Sequence, residues 1–171
     1  MYKILSYPDP VLLKRAEPVV DFGPGLREVV EEMFLTMYQN RGVGLAAPQV
    51  GISKRLFVVN CVEEQPPEGE IVLINPEVVS TDGEQYGDEG CLSFPGIFAK
   101  KRRPEAVVMK AQNLQGEQFE VRGEGLLARA LLHELEHLDG EVFVSDLEPV
   151  EFVKIRKDLQ QLKRAFKRAH A

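Results

Sequence analysis

The stretch LLHELEHLDG, Leu131 to Gly140, constrains the fold of this chain more than any other. It places His133 and His137 four residues apart, and on a helix such residues lie one above the other on one face. Leu127, Leu131, Leu135 and Leu138 recur at helical spacing through the same segment. That apolar stripe has to be covered by the rest of the chain, so the helix is expected to be central. It should begin after Gly125 and stop at Asp139-Gly140, glycine being a common helix end. Two of the chain's three histidines lie in this one turn, with Glu134 directly after the first, and both imidazoles can grip one metal ion.

The flanking segments predict what covers this helix. In PGLREVVEEMFLTMYQN, Leu26, Val29, Val30, Met33, Phe34, Met37 and Tyr38 form one apolar stripe, with Pro24 near the start of the helix. LFVVN and EIVLINPEVVS read as strands, and VEEQPPEGE between them reads as an exposed turn. A hairpin is expected in EAVVMKAQNLQGEQFEVRGEG, turning near Asn113 to Gly116. Pro149 precedes a last helix with Ile155, Leu159, Leu162, Phe166 and Ala169 on one face. The links between strands are too short for parallel crossovers. The expected fold is therefore α+β: antiparallel β-sheets packed around a central HExxH helix, with an N-terminal and a C-terminal helix. No repeat or long linker divides residues 1–171, which read as one domain ending in a basic helix over 149–171.

Composition narrows the setting. Apolar residues make up 44% and charged residues 28% of 171, ordinary for a globular chain large enough to need no disulfide staples. No run of eighteen apolar residues predicts a membrane span, and the N-terminus lacks the pattern of a signal or transit peptide. Two cysteines, Cys61 and Cys91, give no disulfide framework and fit a reducing cytoplasm. The net charge of -6 hides an asymmetry. In the last twenty residues seven Lys and Arg oppose the single Asp158, leaving that segment at +6 and the remainder at -12. The basic segment reads either as a solvated helix face or as a contact for an anionic partner.

Two histidines do not complete a catalytic metal site, which normally takes three protein ligands. His170 lies at a frayed end. The metzincin pattern needs a histidine at position 143, and this chain has Phe143. Glu148 and Glu151 are available, as in thermolysin-like proteases, although Glu151 follows His137 closely and Glu148 belongs to the turn at Pro149. Of the cysteines, Cys61 ends a strand expected to be buried and suits packing. Cys91 sits in GDEGCLSFPG, a glycine- and proline-rich loop able to aim a side chain at a site.

Three separated stretches, GVGLAAPQ (Gly42 to Gln49), EGCLS (Glu89 to Ser93) and HELEH (His133 to His137), resemble in order and spacing the three motifs of the peptide deformylases. The resemblance extends from the PDPVL opening to the charged last helix. It implies that Cys91, His133 and His137 bind the metal, Fe2+ in the family's native state, with Zn2+, Ni2+ or Co2+ able to substitute. The implied reaction is hydrolysis of the formyl group from the N-terminal formylmethionine of new polypeptides. Glu134 would be the proton carrier, and the Gln49 side chain and the Leu92 N–H would stabilise the oxyanion.

Val43, Gly44 and Leu45, with Gly90, are expected to meet an extended peptide by β-addition, Gly42 and Gly44 allowing close approach. Leu126 and Ala130 share the His133 face and would receive the methionine side chain. Arg129 lies on that face too, readable as a surface arginine or as part of the site. The implied partners are nascent formylated chains and, through the basic helix, the ribosome; neither DNA nor a membrane is expected. Three positions depart from the family pattern: Glu136 stands where aspartate is usual, Leu132 where glutamine is common, and GIFAKKRR where some members carry a substrate-contacting arginine. Two rival classes are a small HExxH peptidase and a non-catalytic module with a structural metal.

Overall fold

The computed structural model describes residues 1–62 and 68–171. Residues 63–67 of the expected VEEQPPEGE turn lie outside the described residues. Five strands, β1 (Gly44–Ala46), β2 (Leu56–Val59), β3 (Ile71–Asp82), β6 (Ala106–Gln112) and β7 (Gln118–Glu124), form one sheet in the order β1-β2-β3-β6-β7. Every neighbouring pair is antiparallel. The expected hairpin is β6–β7, closed by a turn at 113–117 in which Asn113 Oδ1 accepts from the Gln115 and Glu117 N–H groups.

Alternation along β2 shows how the sheet is covered. Leu56 and Val58 pack with Val30, Met33, Phe34 and Met37 of helix α1 (Pro24–Gln39) on one face. Phe57 and Val59 pack with Ala128, Ala130, Leu131 and Leu138 of helix α2 (Leu126–Leu138) on the other. Successive side chains on a strand point to opposite faces, so a strand covered on both sides has to be apolar throughout, as LFVV is. Leu131 is fully buried in this contact. Truncating such a leucine to alanine typically costs about 2–5 kcal/mol.

A second, two-stranded sheet of β4 (Gln85–Gly90) and β5 (Phe98–Arg103) was not expected from the sequence. It flanks α2 and carries the ligand loop at its turn. Helix α3 (Pro149–Ala169) packs on this part of the molecule through Ile155 and Leu159, against Phe94, Ile97, Ala99 and Phe143. The expected stripe is buried only in its first half: Leu162 and Phe166 are half-buried and Ala169 is exposed. The helix outruns the surface beneath it. Among the described residues no helix is long and apolar enough to cross a membrane.

Candidate metal centre

The core positions α2 so that its polar face meets the β4–β5 turn. His133, His137 and Cys91 come together there, their ligand atoms all within 4.8 Å of one another. Cys91 Sγ lies 3.3 Å from His137 Nε2. A tetrahedral ion with its sulfur at 2.3 Å and nitrogens near 2.0 Å would hold such atoms about 3.3–3.6 Å apart, so the donor set fits a divalent metal. The other ligand candidates are not brought here. Glu151 accepts from the Lys100 N–H, Glu148 pairs with Arg102, and His170 stacks on Phe166 at the end of α3.

Behind the histidines lies a buried charge cluster centred on Glu89, the last-but-one residue of β4. Its Oε2 accepts from His133 Nδ1 at 2.7 Å, which leaves His133 Nε2 free to face the metal position. Arg103 donates to both Glu89 oxygens, at 3.0 and 2.7 Å, and Arg129 donates to Oε1 at 2.9 Å. Burial alone would raise the Glu89 carboxyl, but hydrogen bonds from His133 and Arg103 and their positive charge outweigh it and hold it well below the usual carboxylate range. Arg103 also lies 2.7 Å from Glu136 Oε1, and Lys101 donates to the Phe143 carbonyl beside it.

On the cleft side, Glu134 is buried and its Oε1 has no hydrogen-bond partner among the described residues. Burial raises its carboxyl to about 7, against the opposing pull of His133. It fits there because Gly44 has no side chain: a Cβ on Gly44 would lie 2.5 Å from Glu134 Oε2. The expected role of Gly44 thus shifts, since the close approach it permits is made by the protein's own carboxylate. Gln49 is buried, and its Oε1 accepts the Ala46 N–H at 2.9 Å. A backbone N–H can only donate, so this bond fixes the amide's orientation and turns Nε2 toward Ser93 Oγ, 3.1 Å away, and Cys91 Sγ.

A cleft of about 480 Å³ opens onto this centre. It is lined by Val43, Gly44, Gln49, Gly90, Cys91, Leu92, Leu126, Ala130, His133 and Glu134, all expected from the sequence, and by Phe98, Asp88 and Arg129. Leu45 does not line the cleft with its side chain, which is fully buried on the α1 side of the sheet because alternation on β1 turns it away from Gly44 and Ala46. Only its backbone remains available to a ligand. Arg129 is neither a surface arginine nor a free cation, being buried and engaged with Glu89 and Gln85. Glu89, Arg103 and Phe98 join the site without a sequence signal that marks them for it.

The family model described as Polypeptide deformylase matches residues 1–153. The chain belongs to the peptide deformylase family. Its members are enzymes that remove the N-formyl group from the formylmethionine of new proteins, and they depend on a metal. The chain is 48% identical over 162 residues to the peptide deformylase of Acidobacterium capsulatum, covering 95% of each. It is 43% identical over 169 residues to that of Thermotoga maritima, covering 98% of this chain and all of the other. A crystal structure of peptide deformylase from Plasmodium falciparum superposes with a TM-score of 0.95 at 40% identity, covering 99% of each chain. Two of the departures from the deformylase pattern now have a place. Glu136 reaches Arg103 in the buried cluster, and β5 carries Phe98 where GIFAKKRR interrupts that pattern.

Proposed function

We propose that Cys91, His133 and His137 hold one divalent metal and that Glu134, Gln49 and the Leu92 N–H carry out hydrolysis of the formyl amide. The observation that carries this reading is the buried, unpartnered Glu134 carboxylate beside a Cys-His-His cluster at the floor of an open cleft. The bound cation would supply Lewis acidity, which brings the pKa of water down to about 7 in favourable sites. Glu134, itself raised to about 7, is matched to accept a proton from the attacking water near neutral pH and return it to the leaving amine. The held Gln49 amide, with the Leu92 N–H next to Cys91, would meet the developing oxyanion. Loss of one such donor typically costs about 3–4 kcal/mol.

Among the described residues β1 pairs with β2 alone, so its other edge can take an extended peptide by backbone hydrogen bonds. This demands little of substrate side chains beyond the methionine, which would lie against Ala130 and Leu126. Fe2+ is the proposed ion, with Zn2+, Ni2+ or Co2+ as working substitutes, and the setting is the cytoplasm, where formylated chains emerge. The distal half of α3 carries Lys163, Arg164, Lys167 and Arg168, all exposed, and is proposed to meet ribosomal RNA.

The test is hydrolysis of formyl-Met-Ala-Ser by protein purified anaerobically. Formate and intact Met-Ala-Ser are expected in equal amounts. Cleavage of the Met-Ala bond would overturn the proposal in favour of a small peptidase.

A further inference from the structure

Lys101 sits on the inward face of β5 and is 6% exposed. An ammonium taken out of water is stable only where it is matched, so its partners carry information. Its Nζ donates to the Phe143 carbonyl at 3.0 Å and to Asp146 Oδ1, and it lies 3.8 Å from Glu136 Oε1. One cation on β5 thus joins the segment that follows α2 to α2 itself, at the residue before His137. Residues 139–148 carry neither helix nor strand, so no ladder of backbone bonds fixes Phe143. The bond from Lys101 does so instead.

Phe143 is where this anchor meets the metal centre. Its ring is 1% exposed, with its centroid 5.8 Å from that of the His133 imidazole. It meets the Phe94 ring edge-on at 5.3 Å, and the Phe94 N–H donates to the Cys91 carbonyl at 2.9 Å. Phe143 therefore packs on the helix that supplies two ligands and on the loop that supplies the third. Aromatic contacts at these separations are directional, so a shift of the Phe143 backbone is passed to both. We propose that Lys101 is a positioning residue: by holding the Phe143 carbonyl it seats the ring between His133 and the Cys91 loop and sets how long the site keeps its ion. This rests on the metal reading given above.

The experiment follows transfer of zinc from fully loaded protein to an excess of a chromophoric chelator. The thiolate-to-cobalt absorption band of the cobalt-loaded protein is the second readout. Lys101→Met keeps the side-chain length without the charge or the donors. It should release zinc about tenfold faster than wild type, the low end of what groups orienting a metal ligand contribute, and shift the cobalt band. Phe143→Leu should do the same. Lys101→Arg, whose guanidinium can donate to both the carbonyl and Asp146, should return release to within about threefold of wild type. Asp146 is exposed, so Asp146→Ala tests the anchor without emptying a buried position, and about threefold faster release is expected. That variant decides the matter should Lys101→Met fail to fold. Met33→Ala, buried on α1 across the sheet, destabilises the fold without touching this path and should leave zinc release and the band unchanged. Wild-type retention in Lys101→Met, Phe143→Leu and Asp146→Ala, or release from Met33→Ala as fast as from Lys101→Met, would overturn this inference and leave the metal reading intact. A wild-type protein that holds no zinc would overturn both.

Discussion

Under α2, Lys101, Arg103 and Arg129 are buried against Glu89 and Glu136, whereas along the distal half of α3 Lys163, Arg164, Lys167 and Arg168 stand in solvent. The same side-chain types thus serve opposite ends. A charge taken out of water has to be matched by a partner, and removing that partner typically costs about 3–5 kcal/mol because the remaining charge is left uncompensated. A charge left in water contributes about 0–1 kcal/mol to any pair it makes. The inner cluster is therefore rigid and coupled to the histidines, while the outer row is independent of the fold and free to act on something else.

Substitutions in the two regions should separate accordingly. The largest effect is expected at Glu134, where the carboxylate does chemistry. Glu134→Gln should lower kcat by about 100-fold or more while metal content, measured by elemental analysis, stays at one ion per chain. Metal loss in that variant, or a rate near wild type, would show that the assigned role is wrong. Next comes Glu89→Gln, which keeps the shape but strips the charge that faces Arg103, Arg129 and His133. Metal affinity should fall about 10–100-fold, as for other groups that orient a metal-binding histidine. Chemical denaturation should show a stability loss of about 3–5 kcal/mol. Equal stability of this variant and wild type would contradict a coupled inner cluster. The smallest effect is expected in the outer row. Replacing Lys163, Arg164, Lys167 and Arg168 by glutamine should change stability by under about 0.5 kcal/mol and leave formate release from a free peptide unchanged. It should weaken co-sedimentation with ribosomes at low salt. Unchanged co-sedimentation would leave the row as a solvated helix face.

The same contrast explains what the sequence made legible. α1, α2 and the β6–β7 hairpin follow ordinary rules, apolar residues recurring at the helical or strand period, and each was readable. β5 obeys the strand period with its polarity altered. Its inward positions are Ala99, Lys101 and Arg103, and its outward ones include Phe98. A reading that equates inward with apolar passes over such a strand, and with it the cluster it supports. Glu89 lies inside the EGCLS motif, yet its contact with His133 spans 44 residues and depends on the β4–β5 pairing, which no local pattern announces. Leu45 buries its side chain against α1, and what it can offer a peptide is the backbone that β-addition uses. The three ligand candidates did come together, because two were fixed by helix geometry and the third by motif resemblance.

The central claim is that a cysteine on a loop and two histidines on one helix hold a single metal. X-ray absorption at the metal edge of the zinc-loaded protein tests it most directly. One sulfur at about 2.3 Å and two nitrogens at about 2.0–2.1 Å are expected, the sulfur disappearing in Cys91→Ala. A first coordination sphere of nitrogen and oxygen alone in the wild-type protein would contradict the account.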